Sequence, residues 1–196
     1  MSISTHLGSD EKLLLAAIDL ISDKGYNGVT TQEIAAAAGL SEKTLFRRFG
    51  SKQNLLEAAF DRFHYTEEMK KLFADRLVWD LHTDLLLISR TYHQIMNRNR
   101  KMITISIKEE GSLPGFRERI QQHPRQFMQI LTDYFQKMSD KGKLIRNNPE
   151  IQALSFMMTC FGAFLNNLDS EENFPSVTLD AFIEESVQIY TRALTP

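Results

Sequence analysis

Apolar residues in this chain recur at intervals of three and four almost throughout, the spacing that lays one stripe along an α-helix. Leu13, Leu14, Ala17, Ile18 and Ile21 make the first such stripe and predict a helix over about residues 10–24. Ser9 stands where an N-cap belongs, Asp10 and Glu11 suit the positive end of the helix dipole, and Gly25 supplies the stop. Thr30 with Glu33 three residues on is a capping box, opening a second helix that turns Ile34, Ala35 and Ala38 inward and ends at Gly39. Ser41 caps a third, short helix to about Arg48, with Leu45 and Phe49 spaced to pack inward. Gly50 ends it, and Ser51 caps a fourth over about 52–71 with Leu55, Leu56, Ala59, Phe60 and Phe63 on one face.

The same spacing continues. Leu81, Leu85, Ile88, Tyr92, Ile95 and Met96 predict a long helix over about 76–97. Ile103, Ile105 and Ile107 alternate with Thr104 and Ser106, the pattern of a strand, but the helical surroundings favour a short helix. Residues 111–115 read as a loop. Phe127, Ile130, Leu131, Tyr134, Phe135 and Met138 give the strongest helical signal in the chain. Asn148-Pro149 starts another helix, with proline at the tolerated first position. A last helix follows Pro175, capped by Ser176, with Leu179, Phe182, Ile183, Val187, Tyr190 and Leu194 on one side. Glycine clusters early, five of nine within the first fifty residues, which punctuates short helices joined by tight turns. The expected class is all-α. A helix-turn-helix domain occupies 1–52, the fourth helix connects, and a second helical domain fills 72–196.

Composition narrows the function classes. With 42% hydrophobic and 24% charged residues among 196, the chain has the makings of a core, which excludes disordered and low-complexity classes. Cys160 stands alone, which excludes an internal disulfide framework and a multi-cysteine metal site and points to a reducing cytoplasm. The first ten residues lack the basic-then-apolar pattern of a signal peptide. No paired carboxylates, phosphate-cradling glycine loop or metal-ligand spacing argues for an enzyme, and no cofactor or metal is expected. Net charge is only −2, so a polyanionic partner must be argued from local charge. From Ser41 to Lys52 there are four basic residues (Lys43, Arg47, Arg48, Lys52) against one acid, Glu42. A two-turn helix so charged fits the DNA major groove. Helix-turn-helix shapes also serve proteins that never touch DNA, so a helical protein-interaction module is the alternative reading.

Within this segment the motifs Gly25-Tyr26, Thr30-Thr31, Ile34-Ala35, Ala38-Gly39-Leu40-Ser41, Thr44-Leu45-Phe46, Phe49, Ser51-Lys52 and Leu55-Leu56 follow one another at fixed spacing. Residues 13–60 thereby resemble the DNA-binding domain of the TetR family of transcriptional regulators. The resemblance covers about a quarter of the chain; the remainder is similar only in length and helical character. It implies that Thr31 contacts phosphate, that Ser41, Lys43, Thr44, Phe46, Arg47 and Arg48 lie on the recognition helix, and that Lys52 touches phosphate at the next helix start. Phe46 stands where such proteins often carry tyrosine, so a hydroxyl-to-phosphate bond is lost while contact with a thymine methyl remains open. Arg47 and Arg48 replace residues that are frequently aromatic or histidine. Adjacent on one helix, they point different ways, one expected on bases and one on phosphate. Glu42 either accepts from a cytosine amino group or serves as a favourable charge at a helix N-terminus.

Residues 151–168 contain no charged side chain. Gln152, Ser155, Thr159, Asn166 and Asn167 argue against a membrane span, so the segment reads as a helix buried on most sides. Leu154, Met157, Met158, Phe161 and Leu165 form one face; Phe156, Cys160, Ala163 and Asn167 form another. One domain covers one face, and the other is expected to meet a second copy, with Gly162 and Ala163 permitting close approach. The last helix joins it, as the resemblance also implies, giving a dimer on a palindromic operator. The resemblance further implies a regulator, here read as a repressor, released by an effector bound in the C-terminal domain. Methionine and aromatic side chains suit a small apolar or amphipathic ligand, and the candidates are Trp79, Tyr92, His93, Met96, Met102, Phe127, Met128, Leu131, Phe156, Met157, Cys160 and Phe164. The same stripes are more often the signature of plain core.

Overall fold

The computed structural model describes residues 8–111, 113–167 and 177–196. Among them the chain forms α1 (Ser9–Lys24), α2 (Thr31–Ala37), α3 (Glu42–Phe49), α4 (Lys52–Arg62), α5 (Thr66–Asp75), α6 (Leu81–Arg98), α7 (Arg100–Glu109), α8 (Phe116–Asp140), α9 (Pro149–Asn166) and α10 (Leu179–Leu194). The class is all-α. The alternating isoleucines lie in α7, where Met102, Ile105 and Ser106 are the buried positions. Their three-four spacing begins one residue before the alternation and overrides it.

The helices fall into two compact units that are discontinuous in sequence, Met1–His64 with Asn99–Gln121, and Tyr65–Arg98 with Gln122–Pro196. In the first, the predicted stripe of α1 is fully recovered: Leu13, Leu14, Ala17, Ile18 and Ile21 are buried against Ile34, Leu45, Leu55, Leu56 and Phe60. Met102, Ile105 and Phe116 complete this core from far along the chain. The rings of Phe60 and Phe116 meet edge to face at 6.1 Å. Polar ties reinforce the inserted segment: Lys101 Nζ donates to Asp19 at 2.7 Å, Gln53 Nε2 to the Pro114 carbonyl at 2.9 Å, and Arg119 pairs with Glu57 at 3.2 Å and with Asp61.

The second unit is built round aromatic side chains. Tyr92 stacks on Phe127 at 5.4 Å, Tyr65 meets both edge-on, and Trp79 stacks on Tyr134 at 5.9 Å. Phe156, Phe164, Ile183 and Val187 bring α9 and α10 into the same core. Helix α8 contributes to both units; the division falls at 121/122, just ahead of Pro124 in its interior.

Several boundaries differ from the sequence reading. Ser9 is the first helical residue of α1 and makes no cap; Gly8 holds the N-cap position without a side chain to offer. The single helix expected over 52–71 is two, α4 and α5, separated at 63–65. Phe60 serves the first unit's core and Tyr65 the second's, so one straight stripe does not supply both. The helix expected from residue 76 begins at Leu81, because Asp80 Oδ1 accepts from the Thr83 backbone N–H at 2.9 Å and from its hydroxyl at 2.6 Å. Trp79 just before it has φ +61°, a conformation that a helix excludes. Thr178, not Ser176, caps α10, accepting from the Ala181 N–H at 3.2 Å. Pro175 and Ser176 lie outside the described residues.

Candidate nucleic-acid interface

Local rules place α3. Thr30 accepts from the Glu33 N–H at 3.1 Å while Glu33 accepts from the Thr30 N–H at 2.8 Å, closing the capping box that starts α2. Those bonds, with Lys24 at 2.9 Å, hold the Glu33 carboxyl down to about 2. The exit is a Schellman turn: Leu40 N–H reaches the Ala35 carbonyl at 2.9 Å and Gly39 N–H the Ala36 carbonyl at 3.0 Å. Gly39 sits at φ +69°, which favours glycine. Ser41 then caps α3 by accepting from the Thr44 N–H at 3.2 Å, and its hydroxyl also lies 3.0 Å from Thr44 Oγ1.

One fully buried side chain, Leu45, anchors α3, with Phe49 half-buried beside it. Everything else faces out. Lys43, Phe46, Arg47 and Arg48 are exposed, Phe46 at 46% despite its apolar ring. An exposed aromatic ring among three cations offers apolar and cationic contacts together, a combination useful against base edges and backbone. Arg48 Nε lies 3.4 Å from Asp10, while Arg47 makes no ion pair among the described residues. Surface pairs of this kind contribute only about 0–1 kcal/mol, so a phosphate can displace Asp10.

Three site residues carry structural duties that sequence reasoning missed. Thr31 donates its hydroxyl to Glu42 at 2.5 Å, tying α2 to α3. Neither reading offered for Glu42 included that bond. Lys52 Nζ donates to the carbonyls of Tyr26 at 2.8 Å and Val29 at 2.7 Å and lies 4.1 Å over the Tyr26 ring. Partial burial lowers its pKa, against the opposing pull of Glu109 and Glu33. Two of its three protons are committed to the loop before α2, leaving one for a phosphate. From the other side of that loop, Tyr26 N–H donates to Glu109 Oε1 at 3.1 Å. No short-range signal marks Glu109, which is 83 residues away.

Of the twelve effector candidates, all but Met102 fall in the second unit. Met102 is core of the first unit, packed among the α1 and α4 stripes, apart from the other eleven. Tyr92, Met96, Phe127, Leu131, Phe156, Cys160 and Phe164 are buried, as is His93, whose ring meets Tyr92 edge-on at 5.5 Å. Met157 is buried too, while Trp79 and Met128 are partly exposed. Polar groups share this interior: Tyr134 donates to Asp84 at 3.0 Å, and Thr66 Oγ1 lies 3.1 Å from His123 Nδ1. Cys160 Sγ lies 3.3 Å from Ser89 Oγ, and burial pushes its thiol up to about 11. A thiol so placed is unreactive. Among the described residues no cluster of histidine, cysteine, aspartate or glutamate could hold a metal, and no helix is long and apolar enough to cross a membrane.

On α9 the two faces sort unambiguously. Phe156, Met157, Cys160, Ala163 and Phe164 are buried in their own unit; Ile151, Leu154, Met158 and Leu165 are exposed. Met157 therefore leaves the face assigned to it in the sequence, and Ala163 points inward, so only Gly162 of the small pair belongs to the outer side. A groove of about 600 Å³ runs between α9 and α10, walled by Ile151, Ser155, Phe182, Ser186, Ile189 and Ala193.

Comparison with known proteins bears on both units. Residues 13–59 match the model of the family described as bacterial regulatory proteins, tetR family. The HTH-type transcriptional regulator YvkB of Bacillus subtilis (strain 168) is 29% identical over 187 residues, covering 95% of this chain and 97% of its own. Among solved structures, AibR in complex with isovaleryl coenzyme A and operator DNA superposes with TM-score 0.72 at 22% identity, over 93% of this chain and 97% of its own. FadR of Bacillus subtilis in complex with stearoyl-CoA gives TM-score 0.71 at 15% identity, with the same coverage of each.

Proposed function

Because this chain belongs to the tetR family of bacterial regulatory proteins, we propose that it works as a homodimeric repressor that leaves a palindromic operator when a small apolar or amphipathic effector binds. That it is a DNA-binding regulator of transcription, and not an enzyme, follows from the family. The observation that carries the DNA-reading half is the outer face of α3, where Lys43, Phe46, Arg47 and Arg48 stand clear of a helix held by Leu45. We assign base reading to Lys43, Thr44, Phe46 and Arg47. Backbone gripping goes to Thr31, Ser41, Arg48 and the remaining proton of Lys52. DNA reading thus belongs to residues 1–52, and effector binding and dimerisation to the part of 72–196 that lies in the second unit.

Dimerisation through α9 and α10 is supported by their unpartnered apolar side chains, and it presents two copies of α3 to half-sites related by a twofold axis. For the effector, the aromatic interior of the second unit with its buried Ser89, His93 and Asp84 suits a ligand with an apolar body and a polar end. Acyl thioesters of coenzyme A are the first class to assay, since two proteins of the same fold carry them. Release requires that the ligand prefer the DNA-incompetent form; a hundredfold preference corresponds to about 2.7 kcal/mol of coupling. The test is selection of bound duplexes from a random DNA pool at two salt concentrations. A palindromic consensus is expected, and folded protein that recovers no consensus at either salt contradicts the proposal.

A further inference from the structure

Residues 25–30 form the loop from which α2 starts, and their backbone has little slack. Gly25 stands at φ +75° and ψ 162°, and a Cβ at Gly28 would run into the Lys24 carbonyl oxygen. One peptide unit of this loop is held at both ends. The Gly25 carbonyl accepts from the Gly28 N–H at 3.2 Å, and the Tyr26 N–H of the same unit donates to Glu109 Oε1 at 3.1 Å. The next carbonyl, that of Tyr26, takes Lys52 Nζ at 2.8 Å. A glycine beside the unit sets no steric bar to its turning over, so these bonds fix its direction.

Glu109 has little else to do. It is the last residue of α7, where the helix dipole disfavours an acid, and it sits in the unit that carries α3, where negative charge works against DNA. Glu110 beside it pairs with Arg117 at 3.0 Å. Glu109 makes no ion pair among the described residues, and its hydrogen bond is the one to Tyr26. It also opposes the burial that lowers the Lys52 pKa, so the two charges face one another across the loop. Near the start of α7, Lys101 donates to Asp19 at 2.7 Å. Partners advance together along the two helices, Asp19 with Lys101 and Tyr26 with Glu109, so α7 lies beside the second half of α1 and runs the same way. Such a helix is a splint, with Met102 and Ile105 as its apolar grip and Glu109 as its reach to the loop.

We propose that Glu109 is a positioning residue for DNA binding: by holding the Tyr26 N–H it fixes the loop that Lys52 clamps and from which α2 presents Thr31. It touches no DNA itself. This role rests on the DNA-reading face assigned above and goes beyond it by adding a residue outside 1–52. Simple electrostatics predicts the opposite sign, since removing an acid from a DNA-binding unit strengthens its hold on a polyanion.

The experiment titrates a duplex selected by the unsubstituted chain with full-length Glu109→Ala, Glu109→Asp and Glu109→Gln. Urea unfolding and circular dichroism give the stability and helix content of each. Glutamine keeps an oxygen within reach of the Tyr26 N–H, aspartate keeps the charge but falls one methylene short, and alanine loses both. Affinity is expected to fall about tenfold in Glu109→Ala and Glu109→Asp and to stay within about threefold in Glu109→Gln. The last two carry the comparison should Glu109→Ala fail to fold. Equal affinity in all the variants, or tighter binding by Glu109→Ala, overturns the positioning role even where stability falls. So does a Glu109→Gln as weak as Glu109→Asp, since the bond to Tyr26 then carries nothing. An unsubstituted chain that binds no duplex overturns the DNA reading and this role with it.

Discussion

The outer faces of α3 and α9 invite comparison, because each exposes side chains that a solitary folded chain gains nothing by exposing. On α3 they are Lys43, Arg47 and Arg48 around the ring of Phe46; on α9 they are Ile151, Leu154, Met158 and Leu165, with no charge among them. Helix α3 is short and hangs on one buried leucine, and α9 is long and half-buried along its length. The contrast separates two kinds of partner. A cationic face around a single ring suits a polyanion and gives way to salt as counterions return. An uncharged face at helical spacing suits another helix and is nearly indifferent to salt.

The sharpest way to break that contrast is to reverse charge on the first face alone. Arg47→Glu with Arg48→Glu is expected to lower affinity for a selected duplex by at least about a thousandfold, while sedimentation and far-UV circular dichroism stay as they were. A duplex affinity that survives removes both arginines from the interface. Placing charge on the second face does the converse. Met158→Glu is harmless on open surface but buries an unpaired carboxylate in a helix seam. The dimer constant should rise about a hundredfold at any salt concentration.

Lys52→Met probes a residue with two employments. Loss of its bonds to the Tyr26 and Val29 carbonyls should cost about 1–2 kcal/mol of stability in urea unfolding. A phosphate contact would also lower the salt slope of DNA binding by about one. Stability loss with an unchanged slope makes Lys52 a loop clamp only.

A smaller effect belongs to the start of α2. Thr30→Ala removes its cap and should cost about 1 kcal/mol. Glu33 adds a pH signature, since its folded pKa of about 2 lies below the ordinary 4.5. Its contribution is complete above the ordinary carboxylate range and is lost as pH falls through that range toward 2. Urea midpoints measured against pH should show Glu33→Gln lacking that portion of the acid dependence.

The two faces also differ in how far the sequence disclosed them. Around α3 the start and stop signals are local: the Thr30–Glu33 box, the Gly39 turn and the Ser41 cap each act within five residues, and all were legible, whereas the Thr31–Glu42 bond was not. What lay beyond reach were pairings across the chain. Glu109 on the Tyr26 amide, Phe116 against Phe60, and Met102 in the first unit depend on α7 returning to a core begun ninety residues earlier, and periodicity does not reveal which core a stripe joins. The same blindness joined α4 to α5, since both stripes are apolar and helical while serving different units. On α9 the two faces were visible, but both are apolar, so which one turned outward awaited the structure. The class of the fold thus came from local spacing, and the division into units from distant contacts.

The proposed function depends most directly on two copies of α3 reading one palindrome together. Native mass spectrometry of the protein on a selected full-site duplex, beside titration of a duplex holding one half-site, measures that. Two chains on the full site, with affinity for the half-site weaker by at least a hundredfold, is the expected result. A single chain on either duplex, bound with equal affinity, would contradict it.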